Sequence, residues 1–278
     1  MKERITITLD EKILKNIDSI VDRIYIRNRS QAVEFLIKKT LGENKIAVIL
    51  ATGPAENLKI SDTEFRPTAK IGNTSVVEIA LKNLRDNGFR TIYIIGEQPV
   101  LSSIFNLVGD GSRYGVKIKF VEDENPTGTA SSLRLLKGEI KTTFLIVFGD
   151  IIFNKMDINR LWSHHFKQPA IATLMVTTSS LTRGGSSLPI KKSPVMVEGN
   201  TVIRVYKKLR RPIKSLKDSS LIFSSMLVAE PEIIEYIGDS LENDIFPQLA
   251  EKGYLYSYLS SEEETHIHSK ADAKFVKL

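Results

Sequence analysis

Three loops and one basic run carry the side chains of this sequence best placed to do chemistry. Ala51-Thr52-Gly53 follows the apolar run Lys45–Leu50, Gly128-Thr129 lies within Glu124–Ala130, and Phe148-Gly149-Asp150 ends a second apolar run. Glycine lacks a Cβ, so Gly53 and Gly128 would let the backbone approach a bound ligand closely from two sides. Asp150 supplies a carboxylate, either for a cation or as a turn cap. The cationic edge Lys207-Lys208-Leu209-Arg210-Arg211 suits a phosphate-bearing ligand, and equally a solvated loop or an accessory DNA contact. His266-x-His268 sets two imidazoles on one strand face, a spacing that can chelate a transition metal and also occurs incidentally. His164-His165 closes a helical pattern and reads as structural.

The elements that must position these residues form a strand–helix alternation. Lys45–Leu50 is a short continuous apolar run, the pattern of a strand buried on both faces. Thr91–Ile95 is another apolar strand, and Val116–Val121, Thr143–Phe148 and Ala170–Val176 read as further strands. Helical stretches over Ser75–Asn87, Thr129–Leu136 and Asp157–His165 alternate with them, and Gly88 ends the first. The pattern predicts an α/β fold, with a Rossmann-like, mostly parallel, helix-covered sheet over residues 45–278. Ligands bind such sheets beyond the carboxyl ends of the strands, which points to the loops after Leu50, Val121 and Phe148.

The first forty residues follow another pattern. In Arg4–Leu9 the apolar residues Ile5, Ile7 and Leu9 alternate with Arg4, Thr6 and Thr8, as in a half-buried strand. Asp10 is a good N-cap for a helix whose apolar stripe is Ile13, Leu14, Ile17, Ile20, Val21 and Ile24. After a turn at Ile26–Ser30, Ser30 is expected to cap a second helix ending near Gly42. A lone strand leaves its backbone groups unpaired, so this segment needs a partner, most simply a second copy paired antiparallel. Gly42-Glu43-Asn44 is a short joint between a domain at 1–43 and one at 45–278.

Composition narrows the class. The chain has 278 residues, 42% hydrophobic and 26% charged, with a net charge of +6. That is an ordinary globular balance whose sign permits a polyanionic partner. No apolar run nears the ~20 residues that span a bilayer, and the N-terminus is too polar for a secretory signal; a cytoplasmic location with no membrane partner is expected. Zero cysteines exclude disulfides, thiolate metal sites and a cysteine nucleophile.

Two resemblances follow. Residues 3–41 resemble the ribbon-helix-helix family of DNA-binding proteins. The resemblance implies that Arg4, Thr6 and Thr8 read base edges in the major groove of double-stranded DNA. The N-terminus of the second helix, at Ser30 and Gln31, would then hold a phosphate through its free N–H groups, with Arg29 beside it also binding DNA. Residues 45–278 resemble the nucleotidyltransferases that make nucleotide-sugars. That likeness rests on Ala51-Thr52-Gly53, Glu124–Ala130, Gly149-Asp150, Gly109-Asp-Gly-Ser112 and Asn243–Leu249.

This second resemblance places ligand contacts at Gly53, Arg66, Gly128, Thr129, Asp150 and Lys208. Several positions depart from the pattern. Asn57 replaces a triphosphate-gripping arginine, with acidic Glu56 beside it, and Arg66 replaces a catalytic lysine. Of the two acidic residues that hold magnesium in the family, Asp150 is kept, while the second aligns with His266, a poor magnesium donor. Lys207 replaces the glutamate of the sugar site, and Lys208 remains.

With these substitutions no catalytic or metal residue is assigned and no cofactor is expected beyond a bound nucleotide or nucleotide-sugar, with magnesium left open. The leading expectation is a transcription regulator, dimeric or a dimer of dimers. Its DNA-reading ribbon would be coupled to a transferase-like domain that senses a nucleotide-type effector. The alternative is an active sugar-phosphate nucleotidyltransferase with a DNA-binding or autoregulatory N-terminal module.

Overall fold

The computed structural model describes residues 6–22, 26–41, 45–178, 193–206, 221–262 and 264–276. It begins with two helices, α1 (Glu11–Asp18) and α2 (Arg29–Leu41). Asp10 caps α1 as expected, its Oδ1 accepting from Lys12 N at 2.8 Å. The expected strand over Arg4–Leu9 does not form within the chain: residues 6–10 lie outside any strand or helix, and Arg4 is outside the described residues. A strand needs a neighbour for its backbone groups, and a single copy offers none here. The cap of α2 is also different. Asn28 Oδ1 accepts from Gln31 N at 2.9 Å, and Gln31 Oε1 accepts from Arg27 N at 2.7 Å, so the helix starts one residue before Ser30. An amide oxygen two residues earlier reaches the same free N–H groups and wins.

The larger part starts with β1 (Lys45–Ala51), α3 (Ala55–Leu58), β2 (Lys59–Ser61) and β3 (Glu64–Phe65). A second small hairpin, β4 (Lys70–Ile71) with β5 (Thr74–Ser75), leads into α4 (Val76–Asp86). Ser75 caps α4 through Glu78 N, and Gly88 (φ +88°) turns the chain out of it. Then follow β6 (Phe89–Gly96), α5 (Gln98–Val108), β7 (Lys117–Glu122), α6 (Thr129–Arg134), β8 (Phe144–Phe148), β9 (Ile151–Ile152), α7 (Ile158–His165) and β10 (Ala172–Thr178). The hairpin β11 (Pro194–Glu198) and β12 (Thr201–Val205) precedes β13 (Leu221–Ala229), α8 (Phe246–Glu251), β14 (Leu255–Leu259), β15 (Thr265–His266) and α9 (Lys270–Phe275).

One nine-stranded sheet organises these elements. Strands β7, β6, β1 and β8 run parallel, with Val48 flanked by Tyr93 and Ile146. β13 pairs antiparallel with both β8 and β10, and β14 pairs parallel with β10. Side chains alternate between the faces. Ala47 and Ile49, with Ile92 and Ile94, pack under α4, α5 and α7 through Leu81, Ile104 and Trp162. Val48 and Leu50, with Tyr93 and Ile95, pack under α6 and α8 through Leu133, Phe246 and Leu249. The apolar runs predict a mostly parallel, helix-covered sheet. The helices cover it as expected and β7, β6, β1 and β8 are parallel, but β13 and the β11–β12 hairpin pair antiparallel, so the full sheet is mixed.

A third, smaller core of Ile71, Val76, Ile79, Ile152, Ile267 and Ala273 joins the β4–β5 hairpin and α4 to β9, β15 and α9. It braces the region just beyond the carboxyl ends of β1 and β8. No helix among the described residues is long and apolar enough to cross a membrane.

Candidate active site

Asp150 stands where β8 ends. Gly149 N donates to Leu50 O at 2.8 Å, which ties the end of β8 to the end of β1. The backbone carbonyl of Asp150 accepts from Ile267 N at 2.8 Å, and β9 pairs with β15 through Ile151 and His266. These bonds bring a C-terminal segment back to the switch point of the sheet, where α/β folds bind ligands.

The side chains of Asp150, Arg66, His266 and His268 converge there. Arg66 Nη1 lies 3.3 Å from Asp150 Oδ2, and His268 Nδ1 lies 3.6 Å from the same oxygen. His266 Nδ1 is 4.0 Å from Asp150 Oδ1. The two imidazoles stack, with centroids 5.4 Å apart and planes 15° apart. Behind them, the buried carboxylate of Glu264 contacts His266 Nε2 at 3.1 Å. Arg66 also donates from Nη2 to Asn57 O at 2.9 Å, bridging the loop after β1 to Asp150, while its buried Nε has no partner among the described residues.

The loop after β1 turns at Gly53, whose φ of +111° is a region side-chain-bearing residues rarely adopt. Ala55 N, the first free amide of α3, donates to Glu97 Oε2 at 2.7 Å. Glu56 faces away and pairs with Lys59 at 2.7 Å, so the acidic residue that looked hostile to phosphate is engaged elsewhere.

The remaining expected contacts divide. Gly128 and Thr129 are used within the chain: a Cβ on Gly128 would lie 2.3 Å from Asp239 O, and Thr129 Oγ1 accepts from Leu241 N at 2.9 Å. The space left by that glycine is filled by Asp239 backbone rather than left open for a base. Lys208 and the basic run around it lie outside the described residues. At the N-terminus Thr6, Thr8 and Ser30 are exposed. Arg29 makes a bidentate pair with Asp18, at 2.6 and 2.7 Å, which joins α2 to α1 and holds that carboxyl below its ordinary range. Glu264 was missed as the partner of His266, and His268 as a partner of Asp150. The His-x-His spacing was the available signal, but only the β9–β15 pairing puts it beside Asp150.

The resemblance to nucleotidyltransferases implies magnesium held by two acidic residues. Here the corresponding positions supply one carboxylate, Asp150, and one imidazole, His266, with a second imidazole from His268. Magnesium takes hard oxygen donors in octahedral geometry, so this set does not fit it.

Comparison with known proteins agrees with the fold and redirects the function. The model of the nucleotidyl transferase family matches residues 46–184, half of the 278-residue chain. The UTP–glucose-1-phosphate uridylyltransferase of Synechocystis is 26% identical over 224 residues, 74% of this chain and 55% of that protein. The low-salt glycan biosynthesis nucleotidyltransferase Agl11 of Haloferax volcanii is 31% identical over 110 residues, 39% of this chain and 31% of that one. This chain thus spans about half the length of curated relatives such as the first, and less of others. A crystal structure of a putative glucose-1-phosphate thymidylyltransferase from Bacillus anthracis superposes with a TM-score of 0.68 at 16% identity, covering 84% of this chain and 97% of that one. The inositol-1-phosphate CTP transferase of T. maritima gives 0.65 at 18%, covering 84% and 92%.

These findings correct the leading expectation of a DNA-binding transcription regulator with a sensing domain. The relatives carry the names of sugar-phosphate nucleotidyltransferases, and the matched region holds the clustered Arg66 and Asp150. The chain belongs to the nucleotidyl transferase family.

Proposed function

We propose that the chain is a sugar-1-phosphate nucleotidyltransferase. In that reaction a phosphate oxygen of the sugar 1-phosphate attacks the α-phosphorus of a nucleoside triphosphate. The bond from that phosphorus to the bridging oxygen breaks, and pyrophosphate leaves. The observation that carries the reading is the bridge from Asn57 through Arg66 to Asp150, at the carboxyl ends of β1 and β8. It fixes a guanidinium, with an unpartnered Nε, beside the loop that turns at Gly53. A phosphate seated in that loop meets a positioned cation, and such preorganised charge stabilises the charge that develops during transfer. Asp150 orients Arg66, and Lys208 is the proposed second cation for the sugar phosphate. An incoming triphosphate must compete with Glu97 for Ala55 N–H.

The relatives' names span uridylyl, guanylyl and thymidylyl transfer, and the T. maritima structure adds CTP. The test is therefore pyrophosphate release from UTP, GTP, dTTP, CTP and ATP, each with glucose 1-phosphate or mannose 1-phosphate. The reading expects release that requires both substrates. Silence across the panel from folded protein contradicts it.

We infer further that residues 3–41 form a ribbon-helix-helix module that pairs with a second copy. In one copy Ile7 is 51%, Ile13 48% and Ile37 43% exposed, while residues 6–9 alternate apolar and polar without a strand neighbour. Pairing would cover the isoleucines and satisfy the backbone groups. Sedimentation of the full chain is expected to give a dimer that Ile7→Glu with Ile13→Glu dissociates. An unchanged dimer would place the interface elsewhere. Adding duplex DNA to the same runs tests whether Arg4, Thr6 and Thr8 bind it.

A further inference from the structure

The geometry points to a transition-metal site formed by Asp150, His266 and His268, selective for an ion of the zinc or cobalt class over magnesium. The three residues each offer a donor atom, and all three donors lie within 4.8 Å of one another. Two donors bound to one zinc ion at 2.0–2.1 Å in a tetrahedron sit roughly 3.4 Å apart. The contacts to Asp150, 3.6 Å from His268 and 4.0 Å from His266, are already near that spacing.

The backbone explains why the donors converge. His266 and His268 are two residues apart on an extended segment, so their side chains share a face, while Ile267 between them is fully buried on the other. Ile267 N binds Asp150 O, which locks this segment to the carboxylate it must share an ion with.

The orientation of His266 supplies the independent observation. Its Nε2 lies 3.1 Å from Glu264 Oε1, and Glu264 has no exposed side-chain surface. A carboxylate there fixes the tautomer: Nε2 carries the proton and donates it, leaving the lone pair on Nδ1. That Nδ1 is buried and has no hydrogen-bond partner. It faces Asp150 Oδ1. A buried imidazole backed by a carboxylate, with its free nitrogen turned toward another ligand-type residue, is the second-shell arrangement that orients metal-binding histidines. The two imidazoles are borderline donors that, beside one hard carboxylate, favour zinc, cobalt or nickel, whereas magnesium prefers oxygen alone. Arg66 shares Oδ2 of Asp150 with His268, so an ion taken up here must share or displace it.

This inference stands on the donor set and does not depend on the transferase reading. Its test uses the full chain, free of any histidine tag, stripped with chelator and kept without substrate. Cobalt(II) is titrated while its visible ligand-field absorption is followed, zinc is added in competition, and magnesium is titrated separately by calorimetry. The site predicts saturable cobalt binding displaced by zinc, with magnesium weaker by at least about 100-fold. His268→Ala and His266→Ala should each weaken cobalt binding ~10-fold or more, and Glu264→Gln by ~10-fold through the orientation it provides. His266→Asp should narrow the cobalt-to-magnesium ratio. If the alanine variants fail to fold, Asp150→Asn and His268→Gln make the same comparison. Cobalt binding that survives loss of both histidines, an absent cobalt spectrum, or magnesium binding as tightly as cobalt would overturn the site.

Discussion

Two clusters in this protein combine histidine with carboxylate, and they are built to opposite ends. In the first, His165 is buried between β10 and the start of the 230s segment, with both ring nitrogens engaged. Its Nδ1 meets Thr173 Oγ1 at 2.8 Å and its Nε2 meets Glu230 Oε1 at 3.0 Å, while Thr143 donates to the same carboxylate at 2.8 Å. None of these four side chains has a buried polar atom without a partner among the described residues, so the cluster braces β10 and α7 rather than presenting free groups to a ligand. In the second, His266 keeps a buried Nδ1 with no partner, Arg66 keeps a buried Nε, and three basic side chains share one carboxylate. The residue types match; satisfaction separates scaffold from site.

The comparison can be broken from either side. Removing the guanidinium from the open cluster, Arg66→Met, should lower the rate of pyrophosphate release by ~10²–10³ with little change in melting temperature, the scale of one positioned charge-stabilising donor. Glu230→Ala does the reverse. It strands His165, and stability in urea should fall by ~1–3 kcal/mol while turnover per folded molecule holds. Thr173→Val removes one neutral bond from the closed cluster and should cost ~1 kcal/mol by the same measure.

The smallest effect is one of pH. Burial works against the charge of Glu230, but hydrogen bonds from His165 and Thr143 outweigh it and hold the carboxyl below its ordinary 4.5. A depressed carboxylate stabilises the fold fully above pH 4.5, and that contribution fades as pH falls through the lower, folded value. Urea midpoints from pH 6 down to 3 should therefore fall more steeply for the wild type than for Glu230→Gln. Parallel curves would remove Glu230 from the account.

Much of this was legible beforehand, for identifiable reasons. Strands buried on both faces write themselves as apolar runs, so β1, β6, β8 and β10 stand close to where those runs lie, while the half-exposed β7 shows as an alternation of Lys with apolar residues. Asp150 and the loop after β1 were found because sheet topology alone places such loops at the ligand end. Helix α5 was not read, although Val100, Leu101, Ile104 and Val108 recur at helical spacing. Gly128 looked like a gap for a base, yet only its contact with Asp239, more than a hundred residues away, says what fills it. The pairing of Ser30 with a capping role failed for a local reason, because Asn28 sits within reach of the same amides. Glu264 lies only two residues before His266, but Asp150 meets His266 only through tertiary pairing.

The central claim is that the open cluster, and not the closed one, serves a transferase. Phosphorus NMR of wild type, Arg66→Met and Glu230→Ala, each mixed with a nucleoside triphosphate and a sugar 1-phosphate, tests it most directly. The account predicts that nucleotide-sugar and pyrophosphate signals grow for wild type and for folded Glu230→Ala, and are nearly absent for Arg66→Met. Equal rates in all three, or no product from any of them, would contradict it.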